Sequence, residues 1–153
     1  MPSRRRAWRA SCSAPSHRGR GGPGGWWILP EPELRLLRDT EVDVPDLAGW
    51  RRERMPCIPS GHRFEVVPDW LCEILSSSTM SKDREIKMPI YARYGVAHAW
   101  LLAPRAKAVE ANALRQGQWD EVGRFTGSLT PRIPPFDAVS VDLAVLWDAG
   151  SAA

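Results

Sequence analysis

Lysine is scarce in this chain: Lys82, Lys87 and Lys107 stand against eighteen arginines. A lysine on a patterned face is therefore more noticeable than in an average sequence. Cysteine is also sparse. Cys12, Cys57 and Cys72 are odd in number and lack CxxC spacing, and His17, His62 and His98 are as scattered. A zinc site or a disulfide framework is not expected, and a reducing cytosol fits. No apolar run approaches the roughly 20 residues of a membrane span, so the expectation is a cytoplasmic protein without a membrane partner. The Ser3-Arg4-Arg5-Arg6 start resembles a twin-arginine export signal, but Arg9 and several serines occupy the segment that would have to be apolar. Acidic residues are absent from positions 1–20, which hold six arginines. The remaining residues carry fifteen basic against eighteen acidic groups, so the net charge of +3 conceals a mildly acidic body. That argues against a broad basic surface, though a local basic cleft stays open.

What is present suits a folded domain: 153 residues, 43% hydrophobic and 25% charged. Residues 1–22, rich in Arg, Ser, Gly and Pro, are expected to form a disordered basic tail. Residues 23–150 would then form one domain. Within it, Val67 to Pro104 reads as a strand, a crossover helix and a parallel return strand. Trp70 to Leu75 is apolar except at Glu73, so both faces of that strand are expected to be buried. A carboxylate inside such a run needs a cation, a metal or strong donors.

The Ser76-Ser77-Ser78-Thr79 run marks the hand-over from strand to helix, as a cap or as a phosphate contact, with Ser81 the expected cap. Ile86, Ile90 and Tyr94 then recur on one helical face, and Asp83, Lys87 and Tyr91 on its neighbour. Pro89 should kink the helix or split it, and Gly95 should end it. Val96 to Leu102 reads as the return strand.

Upstream, Trp26 to Leu29 and Glu33 to Leu37 read as extended, and Arg38-Asp39 as a turn. Glu41 to Trp50 alternates, placing Val42, Val44, Asp46, Ala48 and Trp50 on one face. A hairpin is expected between these last two segments, with Asp46 as a second inward acid. Arg51 to Arg63 reads as a polar surface loop. Downstream, Ala108 to Leu114 and Gln118 to Val122 form a hairpin through Gln116-Gly117, and Phe136 to Trp147 has a helix-like end.

Asp46, Glu73 and Lys87 are the set with chemical potential. Two carboxylates on adjacent strands can hold Mg²⁺, which prefers oxygen ligands, and a nearby lysine can orient water or offset charge on a phosphate. Bland readings stand beside these. Glu73 could pair with an arginine, Asp46 could be a turn carboxylate after Pro45, and Lys87 could be an i,i+4 partner of Asp83.

The segments GGPGGWWILPEPELRL, VPDLAGWRRERMP, PDWLCEILSSST and DREIKMPIYARYGVAHAWLL together resemble the Uma family of restriction endonucleases, the second so numbered, within the PD-(D/E)XK nuclease superfamily. The resemblance runs from about Gly21 to Trp147 and implies an α/β, restriction-endonuclease-like core, a mixed β-sheet with one crossover helix. It implies Asp46 and Glu73 as ligands of Mg²⁺ or Mn²⁺. Leu75 stands where the lysine two residues after the acid is usual, and the resemblance implies Lys87 as its substitute. DNA is the implied partner and a homodimer a compatible assembly.

Family members carry a further region before the GGPGGWW element. The chain is therefore expected to be N-terminally truncated, and Trp26-Trp27 to pack poorly. The alternative to a metal-dependent endonuclease is an inactive remnant of the fold that binds nucleic acid or a protein.

Overall fold

The computed structural model describes residues 25–37, 41–61, 63–136, 140–145 and 147. The basic tail expected over residues 1–22 and the Arg38-Asp39 turn lie outside them. The chain divides into two compact units, Met1–Asp69 and Trp70–Ala153. The domain expected over residues 23–150 takes in parts of both.

In the first unit, β1 (Trp26–Pro30) runs antiparallel to β4 (Leu47–Arg51), with Trp27 opposite Trp50 and Ile28 opposite Gly49. A second small sheet has β2 (Glu33–Leu37) at its centre, antiparallel to β3 (Glu41–Asp43) and parallel to β5 (Arg63–Phe64). The expected β2 hairpin therefore exists, but its second strand is not continuous from Glu41 to Trp50. Pro45 has no N–H for a ladder, and the chain leaves β3 before it and enters a different pairing after it. Val44 is exposed, whereas Ala48, Gly49 and Trp50 are buried in succession. β4 is thus covered on both faces, and the expected alternation does not extend through it.

Trp26 and Trp27 do not pack poorly. Both are buried, with the Arg51 guanidinium 4.6 Å above the Trp26 ring and that of Arg52 4.1 Å above Trp27. The Trp27 indole N–H donates to the Met55 carbonyl at 2.9 Å. Arg51 at the end of β4 and Arg52 just after it supply the cover through cation–π contact. Trp50 stacks on Phe64 with ring centroids 4.7 Å apart, so β5, unforeseen in the polar loop, is anchored by its aromatic residue.

In the second unit, β6 (Trp70–Ile74) and β7 (His98–Ala103) are parallel, joined by a helical crossover as expected. β8 (Ala108–Arg115) and β9 (Gln118–Thr126) add in antiparallel order. Their hairpin turns at Gln116 and Gly117, both at positive φ (51° and 76°), as a two-residue primed turn requires. Opposed residues share a face, so Trp70, Cys72, Trp100 and Ala111 lie on one side. There Trp70, Trp100 and Phe136 meet edge to face at 5.0 to 5.6 Å, and the Trp100 indole donates to the Pro134 carbonyl. Ile74 departs from the expected two-sided burial and is exposed. Residues 143–145 are helical, as the sequence suggested for this end.

The crossover has three parts: α1 (Met80–Lys82), a π-helical turn (Asp83–Lys87) and α2 (Met88–Arg93). The Met88 N–H bonds the Asp83 carbonyl, five residues back. Pro89 follows at once, in the first turn of α2. Its ring would clash with the preceding turn of a regular helix, and the wide π turn absorbs the conflict. The N-cap is Thr79 rather than Ser81. Ser76 and Thr79 bond each other's backbone N–H through their hydroxyls at 3.2 Å, a reciprocal arrangement akin to a capping box that already satisfies the turn entering the helix.

At the other end the Val96 N–H bonds the Tyr91 carbonyl and that of Gly95 bonds Ala92, a Schellman ending with Gly95 at φ 79°. An added Cβ at Gly95 would meet no atom within 4 Å, so Gly95→Ala should act through backbone strain alone. We expect a loss of about 1 kcal/mol, read as a lower urea midpoint with unchanged m-value.

Candidate active site

Glu73 lies fourth in β6 and is 2% exposed. Its neighbours along the strand are apolar, so its charge must be met from the element packed on that face. The crossover helix does so. Lys87 Nζ lies 3.2 Å from Glu73 Oε1, and the Tyr91 hydroxyl donates to the same oxygen at 2.6 Å. Lys87 Nζ is also 3.8 Å from Oδ1 of Asp83, itself 3% exposed.

The Asp83, Lys87 and Tyr91 face therefore turns inward. Ile86, on the neighbouring and more apolar face, is 55% exposed. Burying an isoleucine is worth about 1.5 to 3 kcal/mol, less than the several kcal/mol lost when a buried carboxylate has no cation. The ionic demand of Glu73 outweighs the apolar stripe.

A second polar cluster lies on the same face. Glu73 opposes Leu101, Leu101 opposes Glu110, and Glu110 opposes Arg124, one rank across four strands. Arg84 grips Glu110 with both terminal nitrogens, at 2.9 and 2.8 Å, and Arg124 adds a bond to Oε1 at 2.7 Å. The pairing slips one residue between Ala111 and Asn112, leaving Val122 unopposed on β9. This bulge puts Glu121 and Arg124 on one face, where they bond at 3.2 Å. The Trp119 indole on that face donates to the Met88 carbonyl at 2.8 Å and ties β9 to the helix.

Of the three residues singled out in the sequence, the structure brings Glu73 and Lys87 together. Asp46 belongs to the first unit, half-buried just before β4, with its carbonyl accepting the Glu31 N–H at 3.0 Å. Leu75, on the same face of the chain as Glu73, is buried and brings no charge, so the ammonium beside the acid comes from the helix. Tyr91 and Asp83 were not assigned a role from the sequence, although their four-residue spacing from Lys87 carried the signal. Arg84, Glu110 and Arg124 had no local signal, since a bulge and two strand pairings bring them together.

Among the described residues no three His, Cys, Asp or Glu side chains form a ready metal cage. The donor chemistry still fits Mg²⁺. Glu73 and Asp83 offer hard carboxylate oxygens, and Mg²⁺ is ordinarily held by one or two such groups with water and substrate phosphate. No helix among the described residues is long and apolar enough to cross a membrane.

With this geometry in hand, comparison with known proteins identifies the family. The model of the Uma2 family, described as "Putative restriction endonuclease", matches residues 16–145. The chain belongs to the Uma2 family. Among solved structures it is similar to a protein of Anabaena variabilis ATCC 29413, titled a "putative nuclease belonging to DUF820". That likeness has a TM-score of 0.62 at 19% identity, over 81% of this chain and 69% of the other, and it establishes a shared mixed α/β fold. No curated protein matches. The Uma2 match spans the PD element and the strand–helix–strand crossover, so the restriction-endonuclease-like fold implied by the sequence holds.

Two outcomes follow from the buried charges. Lys87→Met leaves Glu73 without its ammonium and should cost about 3 to 5 kcal/mol in urea unfolding at neutral pH, much of it recovered in Glu73→Gln/Lys87→Met. The second concerns acid. The hydrogen bond from Arg84 holds the Glu110 carboxyl below the usual carboxylate range, against the effect of burial and with help from the charges of Arg84 and Arg124. Arg84 is raised in turn by Glu110. A depressed folded value means that the unfolded chain takes up the proton first on acidification. The contribution is thus full above the usual range, about 4.3, and is lost as pH falls through the depressed folded value. Glu110→Gln should flatten that acid limb when urea midpoints are compared between about pH 6 and pH 3.

Proposed function

We propose that this Uma2 member is a metal-dependent endonuclease that hydrolyses DNA phosphodiester bonds, with Glu73 as a carboxylate ligand of Mg²⁺ or Mn²⁺ and Lys87 as the group that positions water or phosphate. The observation that carries the reading is the 3.2 Å contact between Lys87 Nζ and Glu73 Oε1. It sets a mobile ammonium against an acid at a buried strand position, where a lysine two residues later in the strand would otherwise serve. Asp46 enters as a second ligand on the strength of the family motif alone.

When bound, the divalent cation would polarise the phosphodiester and make an attacking water more acidic. The chain's own residues do the positioning. Tyr91 fixes the Glu73 carboxylate by its short hydrogen bond, which holds the rotamer before any ligand arrives. Lys87 sits between the buried Glu73 and Asp83, and its ammonium can turn a proton donor towards a phosphate oxygen.

One observation favours the second reading, an inactive remnant that binds nucleic acid. Glu73 Oε1 already accepts two donors, a pairing that also suits a purely structural acid. Calorimetry with Mg²⁺ and Mn²⁺ separates the two. The enzyme reading expects metal binding by the wild-type chain, with affinity and plasmid nicking both lost in Glu73→Gln while the circular dichroism spectrum is kept. Unchanged metal affinity in that variant would remove Glu73 from the site and leave the structural reading.

A further inference from the structure

We propose that Arg84 and Arg124, pinned by Glu110, form a phosphate-binding pair that seats the backbone of a DNA strand beside Glu73 and Lys87. The choice of DNA as ligand rests on the nuclease reading above; the anion-binding geometry does not.

Four observations support the pair. Arg84 takes both oxygens of Glu110 in a bidentate grip and Arg124 adds a third bond, so two guanidinium groups converge on one carboxylate. The acid lies beneath and the cations above, because the Glu110 side chain is 11% exposed against 41% for Arg84 and 56% for Arg124. Each guanidinium spends two N–H groups on carboxylates, of the five donors of its planar fork, a geometry that suits phosphate. Finally, the cluster shares a rank and a face with Glu73.

At the usual strand spacing Glu110 is roughly 10 Å from Glu73 along that rank. A strand reacting at Glu73 would therefore present to the pair a phosphate close to the reacting one. Glu121, exposed and among the described residues bonded to Arg124 Nε, is the weaker partner of that arginine and can yield its place to the incoming anion. Glu110 holds both side chains in place beforehand, which reduces the ordering cost of binding. The pair would position substrate without touching the reacting atoms.

The test is fluorescence anisotropy of a labelled mixed-sequence duplex of about 20 base pairs, in EDTA so that nothing is cleaved, titrated with salt. Arg84→Gln and Arg124→Gln should each weaken binding several-fold and flatten the slope of log affinity against log salt by about 0.9, the value of one lost phosphate contact. Glu110→Gln loosens the acid that holds the pair in place and should weaken binding while leaving the salt slope unchanged, because both cations remain. Arg115→Gln removes an exposed arginine paired with Asp120 and should leave the slope unchanged.

Wild-type slope in both Arg84→Gln and Arg124→Gln overturns the proposal, as does an equal loss in Arg115→Gln or a wild-type chain that does not bind the duplex. If Arg84→Gln does not fold, Arg124→Gln decides alone, because it leaves the bidentate grip intact. The nuclease reading fails separately, through absent metal binding, while these slopes can still change.

Discussion

A carboxylate in the middle of a buried strand is the constraint on which the second unit depends. Glu73 has apolar residues on both sides in sequence, so β6 cannot be covered by a purely apolar helix face. The crossover helix must turn its Asp83, Lys87 and Tyr91 edge inward, and does so with contacts of 2.6 to 3.8 Å. The π turn brackets that edge from Asp83 to Lys87. A turn wider than the usual helix changes which residues face the sheet after it, and Pro89 fixes where the wide turn has to end. The Schellman ending at Gly95 then returns the chain to β7 with Val96 buried. Helix rotation, helix irregularity and helix stop thus answer one electrostatic demand.

The two faces of the β6–β9 strands divide accordingly. One is aromatic, built on Trp70, Trp100 and Phe136. The other carries Glu73, Glu110 and Arg124 in a rank beneath the helix. Tryptophan does more than fill volume in this chain. The indoles of Trp27, Trp50, Trp100, Trp119 and Trp147 each donate to a backbone carbonyl in an irregular or helical segment. Such bonds fix loops to strands at points where a sheet ladder offers no partner, and a large ring with one donor suits that task.

Local signals in the sequence were reliable where local chemistry decides the outcome. The lone acid in an apolar run, the left-handed Gly95 stop, the Gln116-Gly117 turn and the disturbance at Pro89 all stand in the structure. Reading failed where tertiary demand competes with local pattern. Ile86, Ile90 and Tyr94 form the more apolar stripe, yet the neighbouring face of Asp83, Lys87 and Tyr91 meets the buried acid and Ile86 is left exposed. Pro45 splits what alternation made continuous, and only the separate partners of β3 and β4 reveal why. The bulge at Val122 reverses the face of every later β9 residue, and Gly123 beside it was the one available hint. Of the site residues, Glu73 and Lys87 were legible because strand burial and helix period each pointed to one of them. The legibility of Asp46 came from the family resemblance.

The choice between lysine and arginine at the two clusters follows from their shapes. In a chain with eighteen arginines and three lysines, the cation beside Glu73 is a lysine and those on Glu110 are arginines. Arg84 shows what a guanidinium does with such an acid: it takes both oxygens in a flat, bidentate grip, and Arg124 adds a further bond to one of them. An ammonium is a compact point charge with rotatable donors. At 3.2 Å from Glu73 and 3.8 Å from Asp83, Lys87 can neutralise a pair of acids at once and still exchange one of its contacts for water or a phosphate oxygen. The point-like ammonium thus stands between two buried acids, and the planar guanidinium where one carboxylate is gripped at both oxygens.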